Sequence, residues 1–186
     1  AINLIKNNES KKNSNFFDAH LLLILDNLKK NNLNKAQILL EKSLNLYKNE
    51  RLNLVILESL EQFVHVFKEK KILNDKKNFG NFSIISETFQ RCYLGHPNTD
   101  LYFTKLYNNP GTDYSRYIFF HLSYLIENNR LDDAEKIVND IDYIDIPLLL
   151  SQGKSWIENK SAEKLIKVFS CKNHNDVLGE FFFLIS

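Results

Sequence analysis

Two stretches of the chain decide its fold: LILDNLKKNNLNKAQILLEKSL, from residue 23, and HLSYLIENNRLDDAEKIVNDID, from residue 121. Each has helix-periodic apolar residues, a two-residue polar break and a second apolar-periodic run. A small residue, Ala36 or Ala134, follows each break and lets two helices approach closely. The two copies align position by position, with Asn31, Leu33 and Ala36 matching Asn129, Leu131 and Ala134. The pattern predicts a repeated helical hairpin.

The rest of the chain has the same apolar spacing of three and four residues. Only five Gly and three Pro occur in 186 residues, so helix breakers are few. We expect about ten helices joined by short loops. Polar side chains are predicted to cap several of them, at Asn34, Thr112, Ser161 and Asn175. The predicted helical runs include 16–30, 52–71, 82–94, 132–140, 147–158 and 161–169.

These features predict an all-α fold, a solenoid of helical hairpins with degenerate repeats. Residues 1–15 are polar and are expected to form a frayed N-terminal segment, and 16–186 a single α-helical repeat domain. The run 181–185 is apolar and would need something to pack on. We therefore expect a fragment of a longer repeat array, or self-association through this apolar C-terminal end.

The hairpins resemble the tetratricopeptide repeat, in which Leu-x-x-Ala is followed by apolar residues four and eight positions on. Ala36, Leu40 and Leu44 fit this pattern, and Ala134 and Val138 fit it in the second copy. Asp142 departs from it, and both copies lack the Trp, Gly and Tyr of the family's first helix and its closing Pro. The resemblance implies a superhelix of paired helices.

The whole chain also resembles uncharacterised tetratricopeptide-repeat proteins of marine alphaproteobacteria. Four segments are responsible: FQRCYLGHP from Phe89, DYSRYIFFHLSYLIENN from Asp113, LLLSQGKSWIEN from Leu148 and FSCKNHNDVLGEFFFLIS from Phe169. This resemblance implies an architecture and carries no activity and no site residues.

Charge and hydropathy narrow the possible functions. The formal net charge is +1 and acids are interleaved with bases, which disfavours nucleic acid as a partner. No apolar run reaches the length of a membrane span. The most basic stretch, FKEKKILNDKKNF at 67–79, is diluted by Glu69 and Asp75 and is interpreted as a solvated helix end and loop. The compartment is not decided by these features.

No constellation of residues indicates an active site, a metal or a cofactor. Cys92 and Cys171 are distant in sequence and form no disulfide framework and no paired metal motif. Cys171-x-x-His174 is at most half of a zinc site. No Gly-rich phosphate loop occurs. We therefore expect no catalytic, cofactor-binding or metal-binding residues, and no enzyme.

Aromatic residues are unusually dense between 89 and 124. Core packing is the ordinary explanation, but there are more rings than one buried face needs. Tyr and Arg on the concave side of a helical solenoid would bind a peptide. Arg91, Arg116 and Tyr117 are the candidates for contacts with a partner.

The sequence thus predicts a protein–protein interaction or scaffold module that binds a partner peptide or helix in a concave helical groove. Two alternatives stay open. One is an enzyme whose site is assembled only in three dimensions, for example from His121, Asp113 and Cys92. The other is a nucleic-acid-binding helical repeat with a continuous Lys stripe on one face.

Overall fold

The structure is a computed structural model that describes residues 16–74, 77–109, 115–141 and 146–185. These residues contain ten α-helices and no β-strand, so the predicted all-α class is confirmed. The helices are α1 Phe17–Lys29, α2 Leu33–Leu46, α3 Arg51–Glu69, α4 Asn81–Leu94, α5 Thr99–Tyr107, α6 Arg116–Glu127, α7 Leu131–Asn139, α8 Leu148–Glu158, α9 Glu163–Val168 and α10 His174–Ile185. The segment 1–15 and Thr112 lie outside the described residues.

The chain divides into two compact units. The first runs to Phe79 and holds α1, α2 and α3, and the second begins at Gly80 and holds α4 to α10. We predicted a single domain over 16–186 and a solenoid architecture, and both stay predictions.

The first unit is a hairpin followed by a longer helix. Helix α2 packs on both α1 and α3, and its buried residues are Ala36, Leu40 and Ser43. Helix α3 buries a broad stripe against it that includes Leu60, Phe63 and Val64. Apolar residues at three- and four-residue spacing fall on one face of a helix, and this is why the stripe is continuous.

In the second unit, α6 is the central helix, in contact with α5, α7, α8 and α9. Most of its residues from Tyr117 to Leu125 are buried. Its Phe120 ring packs against Phe89 of α4 at 5.4 Å and against Phe169 at 4.6 Å between ring centroids. The dense aromatic segment of the sequence therefore contributes a large part of the core of this unit.

The three hairpin loops between α1 and α2, α6 and α7, and α8 and α9 share one geometry. Each contains a residue in the left-handed conformation, namely Asn31, Asn129 or Lys160, with φ of 57°, 59° and 53°. The next amide then bonds back to the carbonyl five residues earlier, in the Schellman arrangement that ends a helix. These bonds are Asn32 N to Asn27 O at 2.8 Å, Arg130 N to Leu125 O at 2.9 Å and Ser161 N to Trp156 O at 2.8 Å.

The predicted repeat therefore corresponds to two hairpins with the same loop, and Ala36 and Ala134 are both fully buried behind it. The predicted cap at Asn34 is wrong, because Asn34 lies inside α2 and the preceding Asn32 makes no side-chain cap bond. Asn tolerates the left-handed conformation better than most residues, so the Asn-Asn break serves the end of α1 and not the start of α2. The caps predicted at Ser161 and Asn175 are wrong as well, since α9 follows Ala162 without a side-chain cap bond and Asn175 lies inside α10.

Cys92 and Cys171 form a disulfide within the second unit. Their Cα atoms are 5.3 Å apart although 79 positions separate them in sequence, and both residues are buried. The expectation that the two cysteines form no disulfide framework is wrong. Spacing along the chain could not reveal the pair, since only the packing of α4 against the loop before α10 brings the sulfurs together.

A first prediction concerns the free energy of unfolding. Replacing both Cys92 and Cys171 by Ala should lower it by about 3–5 kcal/mol, because a crosslink between distant residues restricts the unfolded chain. Urea unfolding with and without reductant measures this. Reductant should lower the free energy of unfolding of the wild type and leave that of the double variant unchanged. Equal sensitivity of the two proteins would contradict the pairing.

A second prediction concerns two glycines inside helices. A Cβ on Gly153 of α8 would lie 2.8 Å from Phe119 Cδ2 and 3.2 Å from Leu165 Cδ2, whereas one on Gly179 of α10 would meet nothing within 4 Å. Gly153→Ala should destabilise by about 1–2 kcal/mol, since crowding outweighs the gain in helix propensity. Gly179→Ala should stabilise by about 0.5–1 kcal/mol. Urea unfolding compares them, and stabilisation by both would show that α6 and α8 are further apart.

Candidate functional site

A cleft of about 210 Å³ lies between α2 and α3 in the first unit. Its floor is apolar and includes the buried side chains of Leu40 and Val64. The half-buried side chain of Leu73, in the segment after α3, lines one side of the cleft. Its other sides are polar. The polar lining residues are Gln37 and Glu41 on α2 and Glu61, His65, Lys68 and Glu69 on α3.

The helical repeat explains why these residues face one another. Gln37, Leu40 and Glu41 are three and four positions apart, so they share one face of α2. On α3 the same spacing joins Glu61, His65 and Lys68 into one stripe along the edge of the buried face. Packing α2 on α3 therefore creates a groove whose floor is core and whose rim is charged.

A chain of hydrogen bonds crosses the cleft from one helix to the other. Lys68 Nζ donates to Gln37 Oε1 at 2.9 Å, and Gln37 Nε2 donates to Glu41 Oε1 at 2.9 Å. The amide of Gln37 thus lies between the ammonium and the carboxylate. This bridge spans the cleft between the two helices.

The carboxylate of Glu61 makes no hydrogen bond or ion pair with any described residue. Its pKa is raised, first by partial burial and then by the negative charges of Glu58 and Glu41, while His65 and Lys77 act in the opposite direction. A raised pKa means that the surroundings disfavour the ionised form. A positive group in the cleft would favour the ionised form.

Sequence reasoning missed this cleft because each of its polar residues reads as ordinary helix surface. The available signal was the placement of Glu61 and His65, four positions apart, beside the long apolar stripe of α3. That signal is weak, since a helix at the surface normally has polar residues along the edge of its apolar face.

The predicted partner-binding residues all lie in the second unit and have internal partners. Arg91 pairs with Glu87 at 2.6 Å and lies over the Tyr102 ring at 4.2 Å. Arg116 pairs with Glu180 at 2.9 Å.

The third candidate, Tyr117, is only 2% exposed and packs on Phe89 and Phe120. A role of Arg91, Arg116 and Tyr117 in binding stays a prediction, and their internal contacts already give each side chain a structural role.

The hypothetical enzyme site combined His121, Asp113 and Cys92. Cys92 is in the disulfide, and Asp113 lies outside the described residues. His121 instead contacts Asp100, with Nε2 to Oδ1 at 2.9 Å, and its Nδ1 lies 3.3 Å from the Tyr107 hydroxyl. With both ring nitrogens engaged and the ring stacked on Phe103 at 4.9 Å, this histidine ties α6 to α5.

Asp100 also accepts a hydrogen bond from Arg130, Nη1 to Oδ2 at 2.7 Å. The hydrogen bond from His121 and then that from Arg130 lower the pKa of Asp100, against the opposing effect of burial. The network therefore links α5, α6 and the start of α7 through one carboxylate that is stabilised in its ionised form.

The Cys-x-x-His motif and the basic stretch were also considered as sites from the sequence, and several of their residues have partners within the protein. Cys171 of the Cys-x-x-His motif is in the disulfide, and no group of three potential metal ligands occurs among the described residues. In the basic stretch, Lys77 pairs with Glu58 and Lys68 with Gln37, while Lys76 lies outside the described residues.

The apolar C-terminal helix α10 is partly covered within its own unit. Phe181 is buried and its ring centroid lies 5.8 Å from that of Phe82, whereas Phe183 is 55% exposed with the Arg116 guanidinium 3.9 Å from its ring centroid. Self-association through this end stays a prediction. Within the described residues, every helix is too short or too polar to cross a membrane.

Comparison with known proteins adds no further observation. No protein-family model, no curated protein and no solved structure matches the chain.

A third prediction tests the Asp100 network. Asp100→Asn should lower the free energy of unfolding by about 1 kcal/mol at neutral pH, a modest value because the carboxylate is partly exposed to solvent. Because the pKa of Asp100 is lowered on folding, its contribution is present above its ordinary value of 3.8 and lost as the pH falls through the folded-state value.

Urea unfolding at neutral pH and below pH ~3 measures this difference, which should shrink in acid. Asp132→Asn is the matched control, because Asp132 is an exposed carboxylate of α7 without a hydrogen bond or ion pair to a described residue. A difference that is the same at both pH values would show that Asp100 is not held in its ionised form.

Proposed function

We propose that this chain is a protein-interaction module that binds a peptide or helix of a partner in a groove between its helices. The observation that carries the proposal is the cleft between α2 and α3, with an apolar floor and a polar rim. Peptide-binding grooves of helical proteins combine these two parts, since apolar contact supplies affinity and rim polar groups supply specificity.

The resemblance of the hairpins to tetratricopeptide repeats supports the same function. Repeats of this kind stack helix pairs and use the surface between helices for recognition. The match of Ala36, Leu40 and Leu44 to the repeat pattern lies on α2, the helix that forms one wall of the cleft. Fold resemblance alone does not fix function, so the proposal depends mainly on the cleft.

The fourth prediction tests whether the cleft binds peptides. Random-sequence peptides displayed on phage are selected on the wild-type chain, and the affinity of the enriched peptides is measured by fluorescence anisotropy. Gln37→Trp should weaken binding by at least about ten-fold, because the indole fills the cleft and removes the bridge between Lys68 and Glu41.

The matched control is Gln152→Trp, since Gln152 is an exposed glutamine on α8 in the other unit. It should bind the selected peptides as the wild type does, and circular dichroism checks that both variants keep their helix content. Equal affinity of all three proteins would place the binding surface elsewhere. Failure to enrich any peptide would overturn the proposal.

A further inference from the structure

The charged groups of the cleft are unbalanced. Three glutamates line it, Glu41, Glu61 and Glu69, against the single lysine Lys68. The Lys68 ammonium is bound to the Gln37 amide oxygen rather than to one of these carboxylates. The nearby Lys77 is paired with Glu58, which lies outside the cleft lining. The cleft therefore keeps an excess of negative charge.

Glu61 contributes one of these unbalanced charges. Its carboxylate has no hydrogen bond or ion pair among the described residues. Burial, and then the charges of Glu58 and Glu41, raise its pKa, while His65 and Lys77 lower it. A like charge nearby disfavours ionisation, and an opposite charge a few ångströms away favours it. Charge complementarity therefore points to a cationic occupant.

The floor of the cleft narrows the choice among cations. Leu40 and Val64 are almost fully buried and close the floor, and the half-buried Leu73 presents apolar surface beside the carboxylates. A Lys or Arg side chain has an aliphatic stem that packs on such a surface and a charged end that stays among polar groups. A bare metal ion would make no use of the floor, and no set of three metal ligands exists in the described residues.

The size of the cleft agrees with a single side chain. Its volume of about 210 Å³ is smaller than the roughly 300–1,000 Å³ of sites that enclose a whole small molecule. A long side chain that projects from a peptide backbone lying across the rim would fill it. The backbone itself would then lie outside the cleft.

We propose that the cleft binds a Lys or Arg side chain of a partner peptide, with its stem against Leu73 and its charged end at Glu41 and Glu61. The inference rests on the proposed peptide-binding function and adds the chemistry of the residue that is recognised. It makes binding sensitive to salt, because the ion pairs are partly exposed.

The experiment uses random-sequence peptides on phage as probes and the full chain as wild type, as Glu41→Gln with Glu61→Gln, and as the control Glu135→Gln. Glu135 is an exposed glutamate on α7. Peptides enriched by the wild type and by the control should contain Lys or Arg beside an apolar residue more often than the starting library. The double variant should lose that enrichment.

One enriched peptide is then synthesised with its basic residue intact and with that residue changed to Gln. The intact peptide should bind the double variant about ten-fold more weakly than the wild type, since each exposed pair contributes up to about five-fold. The Gln peptide should bind both proteins equally, which isolates the pairwise interaction.

The outcomes separate the two proposals. Enriched peptides that bind in the cleft, as shown by loss in Gln37→Trp, but have no excess of Lys or Arg would overturn the cationic occupant and keep the peptide-binding function. A basic peptide that binds the double variant as tightly as it binds the wild type would also overturn the cationic occupant and keep the peptide-binding function. No enrichment on the wild type would overturn both.

Discussion

The close approach of two helices across a short loop is the constraint on which this structure depends. The second helix of a hairpin can pack tightly on the first only if a single left-handed residue ends the first helix and a small side chain makes the contact. Asn31 and Asn129 provide the left-handed turn, and Ala36 and Ala134 provide the contact. The rise of a helix then places further apolar residues on the same face, so one loop sets the register of the whole pair.

The cleft follows from the same constraint in the first unit. With Ala36 and Leu40 buried, the next positions on α2 must lie at the edge of the contact, and these are Gln37 and Glu41. The longer α3 presents its own edge residues opposite them. The groove is thus a by-product of packing whose rim is available for recognition, and its negative charge comes from residues that contribute little to the core.

The second unit shows how aromatic residues can suggest a binding surface and yet supply a core. Tyr117 was a candidate for contact with a partner only because the segment has more rings than one buried face needs. Helix α6 has neighbours on several sides, so several of its faces are buried and the rings of Phe89 and Phe169 complete the packing. The number of buried faces on a helix depends on how many helices surround it, and the periodicity of the sequence does not reveal that number.

The sequence by itself determined the all-α class, the approximate bounds of the helices and the paired hairpins, because these depend on local spacing, breakers and turn residues. Only the tertiary structure decided the pairing of Cys92 with Cys171, the contact of His121 with Asp100, and the cleft around Glu61. Each of these joins residues that are distant in the chain or on separate helices. Their proximity depends on which helix faces meet, and a single sequence leaves that choice open.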